Sequence, residues 1–205
     1  IWFGSLVSGA VVRGRQVCGV VVNTPWGRGR VRAGVVIDAT GNADVAAAAG
    51  AACRVVSDQD LAIQGTGLPS RPLRPAYHNT DYTFVEDGDP VDVTRAFLVA
   101  RRKFAGAFAL APLVDTRERR QIVGDVTVTP LDIYTGRTWR DVVCLSRSNF
   151  DSHGFTVHPI FLVLPPDRTS LDAWLPLRAL LPRGIGGLLV TGLALSAQRD
   201  GMPVL

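Results

Sequence analysis

The sequence predicts an α/β fold that is interrupted by an antiparallel α+β region. Continuous apolar strands end in tight glycine turns at residues 34–41 and again at residues 187–192. A strand of this kind is typical of a parallel sheet that is covered on both faces. Between the two, strand-like segments are separated by turns and do not alternate with helices, which favours an antiparallel sheet. We therefore expect residues 1–52 and 182–205 to form one α/β domain, with residues 53–181 inserted as a second domain.

The first 38 residues predict a series of consecutive strands. β-branched runs at residues 6–12 and 17–22 flank the turn Gly14-Arg15, and a Pro25-Trp26-Gly27 turn precedes a short Arg-Val-Arg strand. Turn residues between β-branched runs are the signature of hairpins. The run Gly34–Asp38 is continuously apolar up to its last residue, so we expect this strand to be buried on both faces.

An alanine-rich helix follows that strand after the turn Ala39–Asp44. Asn42 is a good N-cap residue, and Asp44 places an acid in the first turn, where the helix dipole favours it. The small side chains of residues 45–49 allow the helix to lie close to the sheet, and Gly50 is suited to end it. The pattern thus predicts a strand, a glycine turn and a closely packed helix.

The inserted region predicts several strands and two helices. Strand patterns cover residues 61–68, 80–86, 120–128 and 155–164, and helical patterns cover residues 92–108 and 130–134. After this region the apolar strand at 187–192 ends in Thr-Gly, and residues 194–198 begin a helical pattern.

Composition excludes several classes of protein. Hydrophobic residues make up 47% of the chain and charged residues 20%, which is typical of a globular protein. The formal net charge is +4, and the arginines are scattered, with Arg101-Arg102-Lys103 as the longest basic run. A solvated helix face accounts for that run, and without aromatic residues interleaved with it we predict no nucleic-acid partner.

Cysteines and apolar segments argue against metal, redox-thiol and membrane functions. Cys18, Cys53 and Cys144 are far apart and form no CxxC pair, so we expect buried thiols rather than ligands. No His/Cys/acid cluster has the spacing of a metal site. No apolar stretch approaches the ~20 residues that a membrane span needs, and no signal-peptide pattern is present. We therefore predict a cytoplasmic protein without a metal.

Several segments resemble one family in that family's own order. Residues 35–45 resemble the segment V-I-D-A-T-G-D-G-D-V of FAD-dependent oxidoreductases with a glutathione-reductase-like flavin domain. Residues 117–125 are similar to R-E-S-R-R-I-V-G-D, and residues 151–153 to a short D-x-H. Residues 177–182 resemble P-Y-R-A-L-L-P, and residues 188–197 resemble N-L-L-V-A-G-R-x-I-S-A.

The resemblance implies a partial flavin-binding, Rossmann-like domain with a β-meander, interrupted by an antiparallel substrate domain at residues 53–181. It implies FAD as cofactor and these cofactor-binding residues: Ala39, Thr40, Gly41, Asn42, Asp44, Gly192, Leu193 and Ala194. Small residues at such turns allow the backbone to approach a flat ligand closely. Each turn alone is equally compatible with a tight strand-helix connection that binds no ligand.

Departures from the family pattern are also clear. The family begins with a GxGxxG segment whose helix amides hold the pyrophosphate, and neither Gly27-Arg28-Gly29 nor Gly184-Ile185-Gly186 supplies the third glycine. We therefore expect that segment to lie upstream and these residues alone to be inactive. Asn42 replaces an acid, and Leu193 stands where the family often has arginine.

The resemblance suggests flavin-mediated hydride transfer on a small organic substrate. The candidate catalytic residues are His153, Asp151, Arg117 and Arg120. An imidazole oriented by a carboxylate can act as acid or base, and guanidinium groups suit an anionic substrate. A structural histidine and paired surface arginines remain open alternatives. So do two other functions: a non-catalytic binding or scaffold piece, and an unrelated α/β enzyme in which Gly41 and Gly192 would lie far apart.

Overall fold

The computed structural model describes residues 1–55, 89–103, 105, 120–148 and 170–198. By contact the chain divides into two compact units. One comprises Ile1–Val56, Arg119–Asp151 and Val157–Leu205, and the other comprises Ser57–Glu118 and Ser152–Thr156. Contact thus groups residues 119–151 with the α/β part. Which residues handle a substrate is a separate, functional question, so the domain boundaries 1–52, 53–181 and 182–205 stay a prediction.

An antiparallel meander opens the chain. It consists of β1 (Leu6–Arg13), β2 (Gln16–Thr24) and β3 (Gly27–Arg32), in the order β1-β2-β3. Gly14 has a φ of +61°, which allows the two-residue turn after β1 to reverse the chain. At the next turn the Thr24 hydroxyl accepts a hydrogen bond from the Trp26 N–H at 3.2 Å. Both predicted hairpins are therefore present.

Two short strands form the parallel part of the fold. β4 (Val36–Asp38) pairs in parallel with β9 (Leu188–Val190), and α1 (Asp44–Ala48) follows β4 directly. One buried cluster joins these elements to the meander: Val17, Ala43, Val45, Ala46, Ile122, Leu188, Val190 and Ala194. Burial of these apolar side chains holds the two strand ends in place.

The prediction that β4 is buried on both faces is wrong for the part of the chain that the structure describes. Asp38 is 1% exposed, but Ile37 is 64% exposed and Val35 58%. Successive strand residues point to opposite faces, so one face of β4 meets the core and the other does not. Within the described ranges only β9 pairs with β4, and no described element covers the face that carries Ile37.

The remaining described elements are short, apart from one helix. They are β5 (Cys53–Val55), α2 (Pro90–Lys103), β6 (Arg120–Ile122), α3 (Pro130–Tyr134), β7 (Val142–Ser148) and β8 (Leu171–Pro176), with 3-10 turns at Leu177–Ala179 and Gly192–Ala194. β5 pairs with β6 and β7 with β8, both antiparallel. A second buried cluster lies between α3 and β8 and includes Val128, Ile133, Leu171 and Leu195.

The inserted region agrees in part with the sequence analysis. The helix predicted at 130–134 is confirmed by α3, which has the same bounds. Thr129 and Asp132 form a reciprocal capping box that stabilises its start. The helix predicted at 92–108 spans Pro90–Lys103, and the strand predicted at 120–128 is limited to β6. The helix predicted to begin at residues 194–198 is absent: Ala194 ends a 3-10 turn, and Ala197 forms a β-bridge with Val128. The strands β7 and β8 were not predicted. The strands predicted at 61–68, 80–86 and 155–164 lie outside the described residues.

Candidate functional site

The two glycine turns lie side by side at one edge of the parallel sheet. Asp38 and Val190 are paired at the ends of β4 and β9, and the Thr191 N–H donates to the Asp38 carbonyl oxygen at 2.9 Å. Because parallel strands run in the same direction, the turns that follow them leave the sheet at the same edge. The structure therefore brings residues 39–44 together with residues 192–194.

This geometry contradicts the alternative of an unrelated enzyme, which required Gly41 and Gly192 to be far apart. In such sheets, ligands bind outside the carboxyl ends of the strands. The cofactor-binding roles of these residues stay a prediction, since the geometry shows only that the turns adjoin.

Asp38 shapes the first turn from inside. Its carboxylate is buried, and one oxygen accepts hydrogen bonds from the Thr40 N–H at 3.0 Å and the Thr40 hydroxyl at 2.7 Å. The other oxygen accepts from the Ala46 N–H at 3.0 Å. The Thr40 hydroxyl in turn accepts from the Asp44 N–H at 3.0 Å. Asp38 and Thr40 thus satisfy N–H groups at the start of α1.

Asn42 is therefore not the N-cap that the sequence predicted. Ala43 occupies that position, and its φ of +51° is left-handed. The first-turn N–H groups already have Asp38 and Thr40 as acceptors, so no cap from Asn42 is needed. The Asn42 side chain instead accepts from the Arg120 N–H at 2.7 Å and donates to Asp44 at 3.3 Å.

Open space lies in front of both glycines. Gly41 has a φ of +77° and Gly192 of +69°, and no heavy atom beyond the adjacent residues lies within 4 Å of the position where a Cβ would stand. Thr40 and Leu193 are exposed beside them. Hydrogen bonds to Asp38 fix the first turn on its buried side, while the solvent side of both glycines is open. A flat ligand can therefore approach the main chain closely there. The residues present therefore fit a flavin cofactor.

Ala43 was missed by sequence reasoning. It is fully buried and is the only non-glycine residue with positive φ among the residues that the structure describes. The left-handed region costs an L-residue roughly 1–2 kcal/mol. The family segment quoted above has glycine at this position. That glycine was the available sign of a left-handed backbone here. A conformation kept at such a cost indicates that the surrounding packing determines the turn.

β6 ties the two turns together. Arg120 contacts the first turn through its N–H, as described, and through an ion pair with Asp44 at 3.7 Å. Gln121 is 1% exposed, and its side-chain N–H donates to the carbonyl oxygen of Leu193 in the second turn at 3.4 Å. The Arg54 guanidinium donates two hydrogen bonds to the side-chain oxygen Oε1 of Gln121, at 3.1 and 3.3 Å. Neighbouring residues of one strand thus hold both turns.

Gln121 is the second residue that the sequence analysis missed. The family segment has arginine at its position, so this departure was visible before the structure was known. Arg120 was predicted to be catalytic, and the structure places it beside the candidate cofactor turn. A contact between Arg120 and a substrate stays a prediction.

The cysteines do not match their predicted environment fully. Cys18 and Cys53 are half-buried, whereas Cys144 is exposed, so the expectation of buried thiols is wrong for Cys144. Burial raises the pKa of the Cys53 thiol, Arg120 opposes this effect and Asp38 adds to it. The Cys53 thiol therefore stays protonated near neutral pH, which argues against a nucleophilic role.

Three of the four predicted catalytic residues lie outside the residues that the structure describes. These are Arg117, Asp151 and His153, and their roles stay predictions. In the described segments, no three His, Cys, Asp or Glu side chains lie close enough together to hold a metal ion. No helix in these segments is long and apolar enough to cross a membrane.

Comparison with known proteins agrees with the geometry. The family model of FAD dependent oxidoreductases matches residues 1–109 and residues 92–202, which together span nearly the whole chain. Neither a curated protein nor a solved structure matches the chain significantly. The family is defined by its use of FAD, so FAD is the cofactor. The chain belongs to the FAD dependent oxidoreductase family.

Proposed function

We propose that this chain takes part in flavin-mediated hydride transfer on a small organic substrate, in the cytoplasm, within a flavin domain of the glutathione-reductase type. One observation carries the proposal: two left-handed glycine turns adjoin at the end of a parallel strand pair, with open space in front of both. The flavin supplies the redox chemistry when it is bound. The protein's part is to bind and orient the ring and to set the charge around it.

The described residues divide this task between them. Gly41 and Gly192 present main chain without a side chain to obstruct the ligand. Asp38, Thr40 and Gln121 hold those turns through the hydrogen bonds described above. Rigid positioning of this kind reduces the ordering cost of binding.

Arg120 provides positive charge at the same edge. Its side chain is 34% exposed, so it remains accessible to an anionic group despite its contact with Asp44. We propose that Arg120, with Arg117, favours a substrate or a reduced cofactor that carries negative charge. Asp151 and His153 are proposed as the acid-base pair.

FAD titration of matched glycine variants tests the proposal. Gly41→Ala and Gly192→Ala place a methyl group in the open space, while Gly136→Ala introduces a Cβ at a φ of +65° with equally open surroundings, after α3. All three carry similar backbone strain. Only the first two should weaken the perturbation of the flavin absorption and fluorescence that FAD binding produces.

Binding by the unaltered chain should be saturable but weak, because its 205 residues contain no GxGxxG segment to hold the pyrophosphate. Equal affinities for all three variants would contradict the placement of the flavin at these turns. A folded chain that shows no saturable FAD binding would instead favour the scaffold alternative.

A further inference from the structure

The meander carries charge of one sign only. The first 37 residues of the chain include no acid and five arginines, namely Arg13, Arg15, Arg28, Arg30 and Arg32. Arg15 donates to the Gly184 carbonyl oxygen at 2.6 Å. Across the part of the chain that the structure describes, the side chains of Arg28, Arg30 and Arg32 take part in no hydrogen bond or ion pair, and all three residues are exposed.

These three arginines lie on an edge strand. β2 pairs with one side of β3, and no strand within the described ranges pairs with the other side. A free edge presents a row of N–H and C=O groups that an extended peptide can pair with. Edge charges can also serve to prevent such pairing, so the edge by itself does not identify a partner.

The two faces of β3 differ in a way that specifies a ligand. Arg28, Arg30 and Arg32 alternate along one face at a spacing of roughly 7 Å, twice the rise per strand residue. The other face carries Gly27 and Gly29, and no heavy atom lies within 4 Å of either Cβ position. An open cavity of about 610 Å³ extends from these glycines, and its lining includes the aromatic residues Trp2, Phe3 and Trp26 as well as Arg28 and Arg30.

We propose that the outer edge of β3 binds an extended segment of another polypeptide in which acidic and bulky apolar side chains alternate. The acidic side chains face the arginine row, and the apolar side chains fill the space beside the glycines against the aromatic rings. Backbone hydrogen bonds along the edge supply affinity, and the alternation supplies specificity. This surface is separate from the cofactor turns and does not depend on FAD.

A labelled peptide provides the direct test. The probe is the hexapeptide Glu-Val-Glu-Val-Glu-Val, and its control is Glu-Glu-Glu-Val-Val-Val, which has the same composition and charge. Fluorescence anisotropy with the 205-residue chain should show tighter binding of the alternating peptide by about tenfold. Equal binding of the two peptides, or no saturable binding of the alternating one, would overturn the proposal.

Matched charge variants separate this site from the general field of the meander. Arg30→Glu reverses a charge on β3, while Arg13→Glu makes the same change at the end of β1, the opposite edge strand. Arg30→Glu should weaken binding about tenfold and Arg13→Glu less than about twofold. Equal losses would mean that the arginines act only through net charge. Circular dichroism checks that both variants are folded.

N-methylation of the peptide tests strand pairing itself. Alternate amides of a strand point to opposite sides, so methylating one alternate set should abolish binding and methylating the other should have little effect. If both methylated peptides bind as well as the parent, no strand is added to β3 and the proposal fails.

Discussion

The end of the parallel sheet and the region around Trp139 use similar polar residues for different purposes. At the sheet end, Asp38 accepts hydrogen bonds from two backbone N–H groups and a hydroxyl, all within a segment of nine residues. Near Trp139, Asp132 pairs with Arg137 at 2.8 Å, and Asp141 pairs with Arg178 at 2.8 and 2.9 Å. All three carboxylates accept a backbone N–H, but only those near Trp139 also pair with an arginine side chain.

In the region around Trp139, which we call the arginine region, two guanidinium groups stack on the indole ring. The Arg137 guanidinium lies 3.9 Å from the centre of the Trp139 ring, and the Arg178 guanidinium lies 5.9 Å from it. Each charged group therefore contacts both an acid and an aromatic face. This arrangement joins α3 to the start of β7 and the turn at Leu177–Ala179.

This difference indicates which of the two regions is suited to bind a ligand. Side chains that pair with each other fill the surface around Trp139. Asp38 and Thr40 instead form hydrogen bonds within the first glycine turn, and the space beside Gly41 stays open. A binding site needs the second arrangement, because the surface must be rigid and accessible together. Three predictions test this contrast.

Removal of the Asp38 carboxylate should have the largest effect. Asp38→Ala leaves the buried Ala46 N–H and the part-buried Thr40 N–H without their acceptor, which we expect to lower the free energy of unfolding by about 3 kcal/mol. Urea denaturation measures this change. Asp141→Ala is the control and should cost clearly less, since its partner Arg178 is partly exposed and water can take the place of the carboxylate. Equal losses would refute the distinction between the two regions.

Deletion of one methyl group should have a smaller effect that depends on position. Ala43→Gly and Ala46→Gly each remove a fully buried methyl group, but only Ala43 has a left-handed backbone. Glycine relieves strain at position 43, whereas at position 46 it also lowers helix propensity. Ala43→Gly should therefore be less destabilising than Ala46→Gly by about 1 kcal/mol or more, as measured by urea denaturation. A larger loss at position 43 would show that the turn is not strained.

Loss of the arginine region's ion pairs at low pH should lower the free energy of unfolding by the smallest amount of the three predictions. The side-chain hydrogen bond from Arg178 lowers the pKa of Asp141 from 3.8 to about 2. Burial raises the pKa of Asp132, but hydrogen bonds from Arg137 and Thr129 outweigh it and hold the pKa below 3.8. A carboxyl with a lowered folded-state pKa stabilises the fold above its unfolded-state pKa and loses this contribution as the pH falls through the folded-state pKa.

The free energy of unfolding should therefore decline between pH 3.8 and about 2. Thermal unfolding across this range should show a shallower decline for Asp141→Asn than for the unaltered chain. The effect should be modest, because solvent screens exposed ion pairs. Identical slopes for both proteins would mean that the Asp141–Arg178 pair does not contribute to acid stability.

Much of the local structure could be predicted from the sequence. The hairpins around Gly14 and Pro25, the helix at Pro130–Tyr134 and both apolar strands follow from turn residues and periodicity. These signals are local, since each depends on hydrogen bonds and side-chain spacing within a few neighbouring residues. The ordered family segments also indicated FAD, in agreement with the family match.

Interactions between distant residues decided the rest. The N-cap prediction at Asn42 was wrong because Asp38 and Thr40 serve the helix start and Asn42 contacts Arg120, which lies 78 positions away. The exposed face of β4 likewise depends on which elements cover it. No local pattern carries that information.

Local sequence patterns were sufficient to place two strands that end in glycine turns and to indicate a flavin family. That the two turns adjoin became visible in the folded chain, where β4 pairs in parallel with β9 and Thr191 contacts Asp38, 153 positions away. In the folded chain Gln121 also braces the second turn. Such pairing depends on the burial of a shared core, a property of the folded chain as a whole rather than of either segment.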